Sequence, residues 1–412
     1  MARDRTFVAL DVGTTKICTL VAELQDDGEL EVIGLGVVPS RGVRRGQVVD
    51  LDEATEAIQS SLERAERSSG TKITSALVSV TGGQIASTNS HGVVAVAGRE
   101  RLVGQSDVGR VLEAARTISA PSQSEVLHVV PRGYTLDGQD GVRNPLGMHG
   151  FRLEVEAHIV FAATAPLQNL TTCLQRLGIQ VADLVLAPLA SAEAVLSEEE
   201  REMGVVLADI GGGTTDIVIY QDGSVNFCKV LGIGGNHVTN DLALFLHTQF
   251  GAAEEIKNRY GHALPQMVAQ EDMVWVAGFG SEGERPVLQR RLAEIVYARV
   301  DEILQLVQQE VQRAGFAGRV PAGLVLTGGS ANLRGIEALA REKTEGPARV
   351  GIPQGAHGLA ESLDDPAYAT SIGLLLWGLR YGVWDSYPAA NDWLAWPRLA
   401  WRWLRDLMPG DG

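Results

Sequence analysis

The chain has 412 residues, enough for two to four domains, and its 45% hydrophobic and 21% charged residues are ordinary for a globular protein. The net charge of −16 argues against a general nucleic-acid-binding protein, because such proteins need a basic surface to displace counterions from phosphates. The three cysteines are scattered, which argues against a disulfide framework, and the charged N-terminus argues against a signal peptide. The sequence has no apolar stretch long enough for a membrane span, so we expect a cytosolic protein.

The first predicted element is an apolar strand that runs into a glycine turn with two threonines, FVALDVGTTKI from Phe7 to Ile17. Almost the same pattern returns in the second half of the chain, as VVLADIGGGTTDIVI from Val205 to Ile219. One copy alone could be no more than a tight hairpin. Two copies predict a duplicated domain with a phosphate-binding turn in each half, and therefore a nucleotide held between the halves.

Alternating strand and helix patterns follow each turn, which predicts an α/β fold. The first half continues with predicted strands at 17–24, 30–38 and 181–186 and helices at 51–68, 167–177 and 189–196. The second half continues with predicted strands at 217–220, 225–231 and 324–326 and helices at 236–250, 287–313 and 367–381. Residues 85–165 have no counterpart in the second half, so we expect them to form an inserted α+β subdomain.

The two glycine turns carry the groups that bind phosphate. Glycine lets backbone N–H groups approach phosphate oxygens, and the hydroxyls and the lysine add hydrogen bonds and charge. The predicted phosphate-binding residues are Gly13, Thr14, Thr15, Lys16, Gly211, Gly212, Gly213, Thr214 and Thr215. Asp11 and Asp209 precede the two turns and are predicted to hold Mg²⁺, mostly through water.

A third glycine motif, TGGSANL from Thr327 to Leu333, follows a predicted strand and can bring backbone against a purine. Glu254 and Lys257 share one helix face and could reach the ribose and the base, although a surface ion pair is the simpler alternative. The predicted adenosine-binding residues are Gly234, Gly235, Glu254, Lys257, Gly328, Gly329, Ser330 and Asn332.

The C-terminal part changes abruptly in composition. A polar linker at 382–392 precedes the segment WLAWPRLAWRWLRDLMPGDG at 393–412. On a helix, its bulky apolar side chains share one face and its arginines the other, a pattern typical of helices that lie in the interface of an anionic phospholipid membrane. The alternative is a terminal helix docked on the protein itself or on a partner subunit. The predicted membrane contacts are Trp396, Leu399, Trp401, Arg402, Trp403, Leu404, Arg405 and Leu407.

The three glycine motifs, in this order, resemble those of the actin-like ATPase superfamily. The insertion narrows the resemblance, because HGVVAVAGRE from His91, Gly147-Met148 followed by LEVEAH from Leu153, and YGHALPQ from Tyr260 are similar to the FtsA family of bacterial division proteins. This resemblance implies an actin-like (ribonuclease H-like) duplicated two-lobe α/β fold that binds ATP and Mg²⁺. It also implies filaments of the protein itself, tethering of FtsZ, contacts with other divisome proteins, and a peripheral location on the cytoplasmic face of the membrane at midcell.

On this basis the chain is divided into six parts. The first lobe comprises 1–84 and 166–203, the inserted subdomain 85–165, and the second lobe 204–240 and 316–381. A helical subdomain at 241–315, the linker at 382–392 and the membrane helix at 393–412 complete it. The resemblance places the site for the FtsZ tail on the helical subdomain, at Arg285, Arg290 and Arg299, where a solvated helix face is the plain alternative.

One position departs from the superfamily pattern. Chaperones, MreB and actin carry a Glu or Gln near the start of the helix after 186 that positions the hydrolytic water, whereas Ala187 stands here. An alanine cannot orient water, so we expect tight ATP binding with slow or absent hydrolysis. Two alternatives remain open from sequence, a scaffold of pilus assembly similar to PilM and an actin-fold small-molecule kinase.

Overall fold

A computed structural model describes residues 6–26, 28–98, 100–278, 283–359 and 363–381. The predicted linker at 382–392 and the predicted membrane helix at 393–412 lie outside the described residues. Within the described ranges, no helix is long and apolar enough to cross a membrane.

The first lobe is built around a three-strand meander whose first turn is the glycine turn after Asp11. Its N-terminal elements are β1 (Thr6–Val12), β2 (Lys16–Leu24), β3 (Leu30–Pro39), β4 (Val43–Arg44), β5 (Gln47–Val48), α1 (Leu51–Ser69) and β6 (Ser75–Val80). Helix α1 begins where the Asp50 carboxylate accepts hydrogen bonds from the backbone of Asp52 and Glu53, and it ends at Gly70 in the left-handed conformation.

The insertion between β6 and the rest of the first lobe forms an antiparallel sheet covered by one helix, as predicted for 85–165. Its elements are β7 (Ala86–Ala95), α2 (Gln105–Arg116), β8 (Ser124–Leu136), β9 (Gln139–Val142) and β10 (Arg152–Ala163), with the strand order β7-β10-β8-β9. Val108, Val111 and Leu112 of α2 are buried in a separate small core. The chain then returns through α3 (Thr164–Arg176), β11 (Gln180–Leu186), α4 (Ala187–Val195) and α5 (Glu198–Met203).

The second lobe repeats the topology of the first. Its elements are β12 (Val205–Ile210), β13 (Thr215–Gln221), β14 (Ser224–Leu231), α6 (Gly235–Leu246), α7 (Phe250–Tyr260), β15 (Met273–Ala277), β16 (Glu284–Leu288), α8 (Gln289–Arg313), β17 (Leu324–Thr327), α9 (Ile336–Thr344), β18 (Ala348–Val350), β19 (His357–Gly358) and α10 (Ala369–Arg380). The sheet order is β14-β13-β12-β17-β18, which matches β3-β2-β1-β6-β11 of the first lobe; β19 adds a parallel strand beside β3. In both sheets, three antiparallel strands are followed by two parallel ones. The predicted duplicated two-lobe α/β fold is thereby confirmed.

The segment predicted as a helical subdomain, 241–315, also contains a β-hairpin. Met273 and Val274 of β15 pair with Leu288 and Val287 of β16, so α8 begins at Gln289 rather than at 287. The apolar spacing of 287–313 predicts a helix that includes Val287 and Leu288, because periodicity alone does not mark the boundary between a strand and the helix that follows it.

Helices α4 and α10 cross between the lobes and join them. Helix α4 packs against β12 and β13 of the second lobe, whereas α10 packs against β1, β2 and β6 of the first. The backbones meet at Gly373, where an added Cβ would lie 1.8 Å from the carbonyl oxygen of Ala190, so only glycine fits the crossing. The sequence-based division places residues 369–380 in the second lobe; the buried side chains of α10 belong to a core cluster that contains residues of both lobes.

Candidate functional site

A cleft of about 540 Å³ lies between the two lobes, at the edge where both glycine turns emerge. Its walls are formed by loops and element ends at the edges of both sheets, together with one face of α7. Its lining includes the predicted residues Asp11, Gly13, Thr14, Thr15, Lys16, Asp209, Gly211, Gly212, Thr214, Glu254, Lys257, Gly328, Gly329, Ser330 and Asn332. The two turns and the third glycine motif, far apart in sequence, therefore share one cavity.

The two glycine turns have the same internal geometry and touch one another. In the first turn the N–H of Gly13 donates to the carbonyl of Lys16 at 3.0 Å, and in the second Gly211 donates to Thr214 at 2.9 Å. A Cβ added to Gly212 would lie 1.9 Å from the hydroxyl oxygen of Thr15. The turns face each other closely enough to grip one phosphate chain from both sides.

Three carboxylates stand beside the turns, the buried Asp209 and Asp216 and the partly buried Asp11, and neighbouring hydroxyls donate hydrogen bonds to each of them. Ser79 donates to Asp11 at 2.7 Å, while Ser191 and Thr370 donate to Asp209 at 2.5 and 3.0 Å. Burial raises the pKa of both carboxyls, and for Asp209 the nearby Asp11 adds to the rise. A cation in the cleft would favour their charged forms.

The third carboxylate, Asp216, links the lobes. The hydroxyl of Thr81, at the end of β6 in the first lobe, lies 2.8 and 2.7 Å from its two oxygens. Burial raises the pKa of Asp216 well above its ordinary value, with the Asp209 charge as a second cause. Thr81 and Asp216 both line the cleft, and neither of these two was among the predicted site residues.

The carboxylates fit a magnesium ion that keeps most of its water. Among the residues that the structure describes, no group of three or more His, Cys, Asp or Glu side chains is arranged to hold a metal directly. Mg²⁺ is usually bound through one or two carboxylates, with water and phosphate oxygens completing its shell. Asp11 and Asp209, both lining the cleft beside the turns, offer that donor set.

Lys16, predicted to bind the β- and γ-phosphates, reaches across the cleft. Its Nζ donates to the carbonyl of Ala367 at 2.5 Å and lies 3.6 Å from the centre of the Tyr368 ring. The ammonium group thus lies between the first turn and the segment before α10. A phosphate entering the cleft would compete with a carbonyl and an aromatic face for this charge.

The predicted adenosine side is a connected network. Lys257 Nζ donates to the carboxylate of Glu254 at 2.7 Å and to the Thr239 hydroxyl at 3.0 Å, and the lysine is buried. Ser330 donates to the carbonyl of Gly211 at 3.2 Å, which ties the third motif to the second turn. The Glu254–Lys257 pair therefore faces the cleft rather than open solvent, unlike a plain surface ion pair.

Four predicted residues lie behind the cleft and do not line it. The Thr215 hydroxyl donates to the carbonyl of Ile233 at 2.8 Å, and its side chain is fully buried. Gly235 donates its N–H to Gly211 at 2.9 Å, and Gly234 packs against the same turn. Gly213 packs against the Thr14 side chain. Thr215, Gly234 and Gly235 thus contact the segments that flank the second turn, whereas Gly213 faces the first turn. That these four residues contact the nucleotide stays a prediction.

Several residues in or beside the cleft went unpredicted. Asn236 follows the Gly234-Gly235 pair and is the second residue of α6, which is a recognisable signal, since the N-terminus of a helix after glycines often faces an anionic ligand. Ser79, Ser191 and Thr370 carry no signal in sequence, because nothing distinguishes them from other hydroxyls until the lobes meet. Asp365, which also lines the cleft, accepts a hydrogen bond from Asn332 at 2.7 Å.

Ala187 lines the cleft as the first residue of α4. Leu186 is the last residue of β11, so Ala187 stands at the start of the helix after 186, where the superfamily carries a Glu or Gln. Its methyl group neither accepts nor donates a hydrogen bond, and among the described residues no glutamate or glutamine other than Glu254 lines this cleft.

The three arginines predicted to meet an FtsZ tail differ in their environments. Arg285 is exposed on β16 and donates to the carbonyl of Leu246 at 2.8 Å. Arg290 is partly exposed in the first turn of α8. Arg299 makes two hydrogen bonds to the Asp241 carboxylate, at 2.7 and 3.1 Å, so its charge is already matched within the subdomain.

The sequence matches two family models and is similar to several known proteins. Residues 206–373 match the family described as "Cell division protein FtsA", and residues 82–161 match "SHS2 domain inserted in FTSA". The chain is similar to Cell division protein FtsA of Pseudomonas aeruginosa, 43% identical, covering 91% of this chain and 90% of that protein. It is 36% identical to the proteins of the same name from Bacillus subtilis, covering 92% and 85%, and Escherichia coli K12, covering 92% and 91%.

Solved structures show the same fold at low sequence identity. The PilM-PilN type IV pilus biogenesis complex contains a chain with a TM-score of 0.65 and 17% identity, covering 90% of this chain and 98% of that one. MreB5 of Spiroplasma citri bound to ADP has a TM-score of 0.54 and 14% identity, covering 90% and 94%. The predicted actin-like fold is confirmed by these likenesses, which concern the fold alone.

Proposed function

The chain belongs to the FtsA family of cell division proteins, and on this premise we propose that it is an ATP-binding adaptor that joins FtsZ filaments to the cytoplasmic membrane. The observation that carries the proposal is the pair of facing glycine turns in a chain related to FtsA over nine-tenths of its length. The adaptor acts as a peripheral protein on the cytoplasmic face of the membrane at the division site, where it assembles with itself and meets other divisome proteins.

ATP binds between the lobes, with its phosphates between the two turns and Mg²⁺ beside Asp11 and Asp209. The adenosine lies toward the third glycine motif and the Glu254–Lys257 pair. The solved MreB5 structure of the same fold contains ADP, which supports a nucleotide in this cleft. The magnesium ion supplies charge neutralisation for the phosphates, while the turns and Lys16 of this chain orient them.

Hydrolysis is expected to be slow because Ala187 cannot hold the attacking water. General-base assistance contributes about 10²- to 10⁴-fold to a rate, so its loss leaves binding intact and turnover small. Phosphate release from purified protein with saturating Mg-ATP measures this directly. Turnover at many molecules per second would show that another group activates the water.

The membrane anchor is the aromatic and arginine-rich segment 396–408, argued from its sequence pattern. Burial of its tryptophans and leucines acts together with attraction of its arginines to anionic headgroups. A single helix of this length binds reversibly, whereas a filament presents many helices at once and gains avidity. ATP-linked assembly therefore strengthens membrane residence.

The FtsZ tail is expected to bind the subdomain 241–315 through Arg285 and Arg290. Of the three predicted arginines, these two make no ion pair within the described residues, whereas Arg299 is held by Asp241 and stabilises the subdomain. Replacing both with alanine is expected to weaken binding of a labelled FtsZ C-terminal peptide about tenfold, since exposed charge pairs contribute about 0.2–1 kcal/mol each.

Fluorescence anisotropy of that peptide tests the contact. The matched control is the double variant Arg67→Ala with Arg152→Ala, two exposed arginines on other parts of the molecule. Equal affinity of both double variants would place the tail elsewhere. A salt dependence that is lost only in the Arg285 and Arg290 variant would support the arginine surface.

A further inference from the structure

A second cleft, of about 790 Å³, opens on the face where the described chain ends. We define it as the exit groove, because Tyr381, the last described residue, forms part of its wall. The inserted subdomain contributes Tyr134 of β8, α5 contributes Glu198, Glu199 and Met203, and the turn between β13 and β14 contributes Asp222. Three parts of the fold thus converge where the described chain ends, after α10.

The walls of the exit groove combine apolar surface with unpaired negative charge. Met203 is 57% exposed, whereas Tyr134 and Tyr381, which also line the groove, are buried. Within the described residues, Glu198, Glu199 and Asp222 make no ion pair, and Asp222 is exposed.

Among the described residues, the four arginines of the groove pair with three carboxylates, which leaves one positive charge in excess. Arg201 and Arg380 share the buried carboxylate of Glu193, at 3.2 and 2.7 Å. Arg143 pairs with Glu202 at 2.9 Å, and Arg132 lies 3.1 Å from Glu156. The three acids without an ion pair, Glu198, Glu199 and Asp222, outweigh this one positive charge, so the groove offers a net negative charge to a ligand beside the exposed Met203.

We propose that the exit groove binds the chain's own C-terminal segment, 393–412, when no membrane is present. The segment carries three arginines, Arg398, Arg402 and Arg405, two acids, Asp406 and Asp411, and four tryptophans. Its arginines complement Glu198, Glu199 and Asp222, and its aromatic rings can cover the exposed Met203. This rests on the proposed function in one respect, that the same segment binds membranes.

Covalent attachment favours this occupant over a second molecule. Eleven linker residues separate Tyr381 from Trp393, and an extended chain spans up to about 3.3–3.6 Å per residue, so the segment can leave the groove and turn back into it. Short flexible linkers give effective concentrations in the millimolar range, which suffices for a weak charge-assisted contact.

Docking and membrane binding then compete for one apolar face. A molecule whose C-terminal segment is docked in the groove cannot bind a membrane through that segment. The apparent affinity for the membrane therefore falls in proportion to the fraction of molecules whose segment is free. Soluble protein holds its tryptophans against itself, and anionic lipid draws them out. The adaptor is thereby kept from binding membranes that lack enough anionic lipid.

A dye at the groove tests the docking in the absence of lipid. Met203→Cys labelled with bimane reports a tryptophan in van der Waals contact by loss of emission, and labelling is selective because Cys18, Cys173 and Cys228 are buried. Emission is expected to be lower in the full chain than in a chain stopped at Asp392. Vesicles of equal parts phosphatidylglycerol and phosphatidylcholine should restore it. The same dye at Phe151→Cys, an exposed site on the inserted subdomain, should respond to neither.

Charge variants test the competition. Glu198→Gln with Glu199→Gln should raise bimane emission and increase vesicle binding of the full chain about threefold. The matched pair Glu53→Gln with Glu56→Gln, exposed glutamates on α1, should change neither. Equal emission from the full and shortened chains would overturn the proposal, and quenching that grows with protein concentration would replace it with exchange between molecules. A full chain that shows quenching yet never binds vesicles would instead refute the membrane anchor alone.

Discussion

Replacing Gly212 with alanine is expected to lower the affinity for Mg-ATP by about 100-fold, a loss of about 2.7 kcal/mol of binding free energy. The added Cβ would lie 1.9 Å from the Thr15 hydroxyl and 3.1 Å from the Asn236 side chain, so the turn must move away from the facing lobe. Both turns then can no longer contact one phosphate chain. Isothermal titration calorimetry measures the affinity.

The control for this substitution is Gly83→Ala. An added Cβ at Gly83 meets no atom within 4 Å, so the same chemical change should leave ATP affinity unaltered. Thermal unfolding of both variants separates a local movement from general damage to the fold. If the Gly212 variant kept wild-type affinity while remaining folded, the nucleotide would not lie between the two turns.

Stopping the chain at Asp392 is expected to abolish flotation with anionic vesicles, and Trp401→Glu with Trp403→Glu should reduce it more than tenfold. A glutamate on the buried face removes apolar contact and introduces a charge that anionic headgroups repel. Trp275→Glu is the matched control, because Trp275 is a 63% exposed tryptophan on β15. Flotation that persists in the shortened chain would assign membrane binding to the folded lobes.

The duplicated fold was predictable because each half carries the same local signals. A strand, a glycine turn, a second strand and an Asp-Gly turn recur, and every turn residue has a backbone reason for its place. The inserted subdomain was predictable because its sequence has no counterpart in the other half of the chain. The crossing of α4 and α10 could not be predicted from local sequence patterns, because a helix of small apolar residues can pack on either lobe. The close contact between Gly373 of α10 and the backbone of α4 exists only in the folded chain.

The sequence predicts which motifs form the cleft, but it does not predict which side chains of those motifs face it. Both threonines of the second turn look equivalent in sequence, yet Thr214 lines the cleft while Thr215 enters β13 and turns its hydroxyl to Ile233. The hydroxyls that hold Asp11 and Asp209 come from β6, α4 and α10, which meet only in the folded chain. Their roles depend on tertiary position, which no short pattern encodes.

The most direct test of the adaptor is the flotation of FtsZ with phosphatidylglycerol and phosphatidylcholine vesicles in the presence of this chain and Mg-ATP. The account predicts that FtsZ rises with the vesicles when the full chain is present. It predicts that FtsZ stays behind when the chain stops at Asp392 or when FtsZ lacks its C-terminal tail. Vesicles that carry the full chain yet leave FtsZ in the bottom fraction would contradict the proposed link between FtsZ and the membrane.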